Sequence, residues 1–270
     1  MVDFASKLNK PNMVLDTLTK NGKFTYATSV VIPRLTAAII GREKQGKTHF
    51  ALTAPGPIAI FDADYGLEGV VGKFTKEKKV LVYRIDMPYP ESKTAGKEAS
   101  DIWDQVHEAF DEVLRNSEIR TVIFDTASEL WEIARLAYLG KLEQVKPIHY
   151  GMVNAAFRRF LKKGLDSDKN ILLIQKMKAE YINDSRTGDY EMAGFGDTPH
   201  IVQALIYPFR ARKTEEMWDG TPVTKGDFVV RVHESRHNPG FDDSYLVGPM
   251  ATFPFVASTL IKDTIPEMFE

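Results

Sequence analysis

The chain has 270 residues, enough to bury a substantial interior, with 43% hydrophobic and 27% charged residues and a formal net charge of −2. That balance supplies no global attraction to nucleic acid or anionic membranes, so any polyanion site must be a local basic patch. The absence of cysteine excludes a disulfide framework, a thiolate metal site and a cysteine nucleophile. No apolar run approaches twenty residues, so the chain reads as a cytoplasmic protein with no membrane partner.

Residues 1–30 are weakly patterned, and Pro33 interrupts Val30-Val31-Ile32. This predicts an N-terminal arm ahead of a core over 31–260. Leu35–Ile40 reads as a buried strand. Directly after it stands Gly41-Arg42-Glu43-Lys44-Gln45-Gly46-Lys47-Thr48, which fits the G-x-x-x-x-G-K-[ST] phosphate loop without a mismatch. Gly41 and Gly46 tolerate the backbone angles that turn successive N–H groups inward as an anion nest. Lys47 is placed to reach the β- and γ-phosphates, and the Thr48 hydroxyl to ligate magnesium. A short helix over 48–53 follows, closed by Ala54-Pro55-Gly56-Pro57.

Ile58-Ala59-Ile60-Phe61 predicts another buried strand, ending in Asp62-Ala63-Asp64, and 79–85 a further one. Residues 88–99 read as a solvent-facing loop. Ile102, Trp103, Val106, Phe110, Val113 and Leu114 then recur at helical spacing over 100–116. The strand over 120–126 ends in Asp125. An apolar run with one acid at its carboxyl end is the Walker B arrangement, and ligands bind at that end of an open α/β sheet. Asp125 should therefore meet the phosphate loop across the crevice and hold magnesium.

Helices follow at 127–140 and 149–165, the second with a basic, solvated face of Arg158, Arg159, Lys162 and Lys163, and then a buried strand over Asn170–Gln175. From 179 to 200 the pattern dissolves into a loop long enough to be functional or mobile. Alternation over 202–213 and 228–233, with a turn at Asn238-Pro239-Gly240, predicts antiparallel strands. Residues 261–270 read as an acidic C-terminal tail with a frayed end. The expected fold is α/β, a mostly parallel central sheet with helices on both faces and antiparallel strands toward the C-terminus.

Ile60-Phe61-Asp62-Ala63-Asp64-Tyr65-Gly66-Leu67-Glu68 resembles the strand end of RecA-type recombinases, where an acidic residue activates the water that attacks the γ-phosphate. Asp64 falls where that family usually has Glu, and Glu43 where bacterial RecA carries a glutamate. Phe124-Asp125-Thr126-Ala127-Ser128-Glu129-Leu130 resembles the family's Walker B segment. The resemblance covers roughly residues 35–213, and the short closed helix most resembles compact AAA-type, RecA-like ATPases of bacteriophages, some implicated in single-strand DNA annealing and recombination.

The resemblance implies a RecA-like phosphate-loop NTPase core that uses ATP and Mg2+. Asp64 would orient or deprotonate water, with Asp62 and Glu68 as alternatives. Gln175 would sense the γ-phosphate, with Lys176 as its rival one residue on. Arg236 would complete a neighbouring subunit's site in a homo-oligomer, with Lys176 and Lys178 behind it. Single-stranded DNA would meet Lys176, Lys178, Tyr181, Arg186 and Tyr190, where rings stack on bases and cations track phosphates. Glu180, Asp184, Asp189, Glu191 and Asp197 dilute that field. A single-strand-binding protein or other recombination and replication proteins would be associates, in the host cytoplasm if a phage encodes the chain. Two other classes stay open: a nucleotide-regulated scaffold with little turnover, and a small-molecule kinase, which should also carry an arginine-rich lid.

Overall fold

Four strands carry the architecture because each has a continuous apolar centre with polar residues only at its ends: β1 (Thr36–Ile40), β2 (Ile58–Asp62), β4 (Thr121–Asp125) and β5 (Asn170–Gln175) are buried at every residue. Such strands are stable only with both sheet faces covered. In the computed structural model, residues 33–88, 93–140, 146–182 and 185–270 are described, and the expected arm at 1–30 lies outside them. Pro33–Glu270 packs as one unit. An eight-stranded sheet runs β12-β11-β8-β1-β5-β4-β2-β3. Here β3 is Val80–Arg84, β8 Ala204–Arg210, β11 Phe228–Ser235 and β12 Ser244–Val247. The six strands from β8 to β3 are parallel, and β11 and β12 join antiparallel. A mostly parallel central sheet with helices on both faces and antiparallel strands toward the C-terminus is the α/β fold expected from the sequence.

Alternate side chains feed two cores, as strand geometry requires. Phe61, Phe124 and Leu173 face helices α2 (Ala95–Arg115), α3 (Ala127–Leu139) and α4 (Tyr150–Leu165). Ile60, Ile123 and Leu172 face α1 (Lys47–Leu52) and α6 (Phe253–Leu260). Edge strand β3 leaves Leu81 and Val82 exposed. On α4 the basic face is tied down in part: Arg158 pairs with Asp197, and Lys163 Nζ lies 2.7 Å from Asp111.

Four expectations need correction. Residues 95–99, expected in a solvent-facing loop, open α2, where Ala95 and Ala99 are fully buried. The region from 179 to 200 is not a loop but a two-stranded antiparallel ribbon, β6 (Met177–Ile182) and β7 (Ser185–Met192), followed by α5 (Thr198–Ile201). The described side chains of β7 are exposed or half-buried, so no hydrophobic period marks the ribbon in the sequence. A second small ribbon pairs β9 (Glu215–Glu216) with β10 (Pro222–Val223). β8 pairs antiparallel with β11 but parallel with β1; a period of two is the same for either direction. The C-terminus is docked rather than frayed. Phe269 is fully buried beside Phe253, ring centroids 6.2 Å apart, and Arg120 donates to the carbonyls of Met268 and Glu270.

Candidate nucleotide-binding site

The carboxyl ends of β1, β2, β4 and β5 open on a crevice of about 580 Å³, lined by the phosphate loop together with Asp64, Gly66, Asp125 and Lys176. Lys44 and Gly46 adopt positive φ, 58° and 88°, and α1 starts directly after Gly46 with no side-chain cap. The first-turn N–H groups are therefore free for an anion. Lys47 folds back over the loop, donating to the carbonyls of Gly41 and Arg42 at 2.9 Å each. Burial pulls its pKa down, while Asp125 and Asp64 oppose that pull. Gly46 is held from outside as well, because a Cβ there would lie 2.6 Å from the Phe228 ring. Gly46→Ala should therefore cost about 1–2 kcal/mol from its backbone angle alone and displace Phe228. Melting and nucleotide-binding titrations should both show the loss.

The two motifs meet. Thr48 Oγ1 donates to Asp125 Oδ2 at 2.8 Å. Gly66 lies over this pair: a Cβ there would sit 3.6 Å from Asp125 Oδ2 and 3.7 Å from Thr48 Oγ1. Asp125 is 2% exposed. Burial first, then the nearby Asp62 and Asp64 charges, push its carboxyl up to about 6, against the Thr48 hydrogen bond and Lys47.

Asp62 stands directly beside Asp125 on the neighbouring strand. Both its carboxylate oxygens are buried without a hydrogen bond; the N–H groups of Asp64, Tyr65 and Gly66 surround them without reaching bonding geometry, and Arg84 is 3.8 Å away. Burial raises its pKa too. Two adjacent buried carboxylates and a hydroxyl form an oxygen-rich, electron-rich spot that fits a hard divalent cation. Among the described residues no cluster of three acidic, His or Cys ligands occurs. Magnesium takes one or two protein oxygens and completes its shell with phosphates and water.

Other expected site residues separate into those the crevice gathers and those it does not. Asp64 lines it; Asp62 is buried in β2, and Glu68 is exposed outside it. Gln175 does not line it. Its fully buried amide accepts from Ser128 Oγ at 2.8 Å and donates to Thr198 Oγ1 at 3.3 Å, so it fastens α3 and α5 to the sheet rather than facing a phosphate. Lys176, expected at DNA or, as the rival of Gln175, at the γ-phosphate, lines the crevice and bridges Asp64 and Glu129.

On the ribbon, Lys178 pairs with Glu191 at 3.1 Å. Arg186 donates to the Tyr190 hydroxyl, and the Tyr190 ring lies 4.5 Å from the guanidinium of Arg42 in the phosphate loop. The ribbon's side chains are thus engaged with one another and with the loop. Tyr181 is opposite Arg186 in backbone register. Arg236 does not enter this chain's crevice. It donates to the His200 carbonyl at 2.8 Å, beside Ser235, which pairs with Ala204 at the amino end of β8, the far end of the sheet from the loop.

Sequence reasoning missed Glu129, Phe228 and Arg210. Glu129 was legible only as part of a helix start, since Thr126 caps its N–H at 3.3 Å. Arg210 borders the crevice, lies 5.7 Å over the Phe228 ring, and its N–H reaches Gln45 at 3.3 Å. Only the pairing of β8 with β1 brings it there.

No curated protein matches the chain. Among solved structures, the assembled ATPase EscN of the enteropathogenic E. coli type III secretion system is similar at 13% identity, covering 66% of this chain and 43% of its own, with a TM-score of 0.43. A prototypical ATPase from the type III secretion system of pathogenic bacteria is similar at 14% identity, covering 64% and 51%, with a TM-score of 0.37. The chain spans about half the length of these structures. The family pattern described as an AAA domain matches residues 34–204, which takes in the phosphate loop, Asp64, Asp125 and Lys176. The chain belongs to the AAA domain family.

Proposed function

We propose that this chain is a magnesium-dependent ATPase. The observation that carries the reading is the Thr48–Asp125 contact at 2.8 Å, which joins motifs 77 residues apart beside a crevice walled by Lys47 and Asp64. Lys47 and the loop N–H groups would bind the terminal phosphates, and Asp64 would orient or deprotonate the attacking water. Thr48 and Asp125 would hold magnesium, which when bound offsets charge on the transferring phosphoryl group.

Single-stranded DNA is the partner we propose, in recombination, annealing or replication. A cytoplasmic homo-oligomer, in a host's cytoplasm if a phage encodes it, and a single-strand-binding protein as associate belong to the same proposal. Support comes from a second cavity, about 800 Å³, that shares Gly41, Arg42 and Gln45 with the phosphate loop. Arg212, Lys213, Tyr207 and Tyr245 line it, with Trp218, 83% exposed, at its rim. Cations beside rings suit a flexible strand of bases and phosphates. Among the described residues no helix is long and apolar enough to cross a membrane.

Phosphate release, measured with and without single-stranded DNA across salt and protein concentration, tests the proposal. Turnover should rise with DNA, fall steeply with salt, and rise per chain with protein concentration. Lys47→Ala should lower it by about 10²-fold or more. Binding without turnover would point to a scaffold instead, and stoichiometric phosphate transfer to an added acceptor to a kinase.

A further inference from the structure

Asp64 sits on a turn whose outer side carries three side chains that do not line the crevice: Tyr65, Arg84 and Asp86. The turn leaves the end of β2 with the Ala63 N–H donating to the Asp125 carbonyl at 2.7 Å, and it re-enters the core at Leu67, which is buried. Between these anchors Tyr65 has φ 53°. A left-handed backbone is ordinary for glycine but disfavoured for a bulky side chain, and it persists only where the surroundings hold it. Here it separates Asp64, which lines the crevice, from Gly66, which lies over the Thr48–Asp125 pair. The placement of both neighbours therefore depends on Tyr65.

What holds Tyr65 comes from β3 and the residues just after it. The Tyr65 hydroxyl donates to Asp86 Oδ1, and the Arg84 guanidinium lies 5.0 Å from the ring centroid, within cation–π range. That hydrogen bond, with the Asp86 charge behind it, raises the pKa of the phenol, so it stays a donor at neutral pH. Arg84 also reaches inward, its guanidinium 3.8 Å from Oδ2 of Asp62, a buried carboxylate without a hydrogen bond. Asp62 stands opposite Arg84 in the sheet, and the Ile85 N–H donates to the Asp62 carbonyl at 2.9 Å. The contacts thus run Asp62–Arg84–Tyr65–Asp86 and close the outer side of the turn.

We infer that Arg84 and Tyr65 are positioning residues for Asp64: together they clamp the turn from outside, so that the Asp64 carboxylate keeps its direction into the crevice. This rests on reading Asp64 as the acid that orients or deprotonates the attacking water. Such an acid must hold its geometry closely, because a displacement of about 1 Å can cost about 10²-fold in rate. Phosphate binding by Gly41–Thr48 does not use the outer side of this turn, so the clamp acts on the chemical step and leaves nucleotide affinity alone. Arg84 and Tyr65 are about half exposed, at 49% and 50%. Substituting either opens no cavity in the two cores.

The test combines steady-state phosphate release with calorimetric titration of a non-hydrolysable ATP analogue, on the full chain. The variants are Arg84→Met, Arg84→Lys, Tyr65→Ala and Tyr65→Phe, with Asp64→Asn alone and combined with Arg84→Met. Arg84→Met and Tyr65→Ala should each lower kcat about tenfold or more and leave analogue affinity unchanged. Arg84→Lys keeps a cation over the ring and Tyr65→Phe keeps the ring under the guanidinium, so each should recover part of the loss. In the Asp64→Asn background Arg84→Met should lower kcat no further, because residues that act through one group are not additive. A side chain that merely supports the fold would cost the same factor in both backgrounds. A wild type without turnover, or an Asp64→Asn chain as fast as wild type, would overturn the role given to Asp64 and this inference with it. Turnover that needs Asp64 but is unmoved by Arg84→Met and Tyr65→Ala would overturn this inference alone, as would an Arg84→Met loss equally deep in both backgrounds.

Discussion

Asp125→Asn should abolish magnesium-dependent turnover and yet give a nucleotide-free protein that is more stable at neutral pH. The loss of activity, about 10²-fold or more, follows from removing the one charged oxygen that meets Thr48 at 2.8 Å. The gain in stability follows from burial. Asp125 has its carboxyl pushed up from 3.8 to about 6, chiefly because it is buried. A carboxyl whose pKa is raised by folding binds its proton more tightly in the folded state. Its contribution to stability is therefore greatest below the unfolded value near 4 and declines as pH rises toward 6.

Above that window the buried charge costs about 3 kcal/mol relative to the neutral acid, and asparagine, uncharged at all pH, escapes the cost. Denaturation midpoints should show the variant ahead of wild type at pH 7.5 and the gap closing by about pH 4. Magnesium should narrow it as well, because a bound cation stabilises only the wild type. A variant less stable than wild type at pH 7.5 would mean that Asp125 is held ionised by partners not recognised in this account.

Phe124→Ala should bring the largest loss of stability of any single truncation argued from this structure. Phe124 is stacked on Phe61 at 4.9 Å and meets Phe110 and Phe160 edge-on at 5.2 and 5.5 Å. It therefore ties two central strands to α2 and α4. Truncating a buried phenylalanine costs about 3–5 kcal/mol through lost transfer energy and the cavity left behind, against a typical domain stability of about 5–15 kcal/mol. The same change should weaken nucleotide binding, since Asp125 is the next residue and its strand would lose its packing. Phe124→Leu, which fills more of the space, should lose clearly less. Equal losses for Ala and Leu in chemical denaturation would show that this cluster is not close-packed.

How much of this could be read beforehand differs by residue, for physical reasons. β1, β2, β4 and β5 were legible because a strand covered on both faces is apolar throughout. The phosphate loop was legible because it needs glycines at fixed positions, and Asp125 because the strand's end placed it at the crevice. The β6–β7 ribbon was not legible, since it touches a core through Met177 and Met192 at its root while the described side chains of β7 are exposed or half-buried and carry no hydrophobic period. Gln175 and Lys176 show the sharpest limit. Neighbouring side chains on an extended backbone point in opposite directions, so a one-residue ambiguity in placing the motif decides which enters the crevice. The sequence favoured Gln175; the structure buries it under Ser128 and Thr198 and turns Lys176 toward Asp64. Phe269 was read as part of a loose end because nothing local reveals the slot beside Phe253 that receives it.

The measurement that bears most directly on this account is a crystal structure of the chain with a non-hydrolysable ATP analogue and magnesium. The terminal phosphates should lie inside Gly41–Thr48, with an ion at about 2.0–2.1 Å from its oxygen ligands, Thr48 Oγ1 among them and Asp125 in its shell. An analogue bound elsewhere, or an ion held without either Thr48 or Asp125, would contradict it.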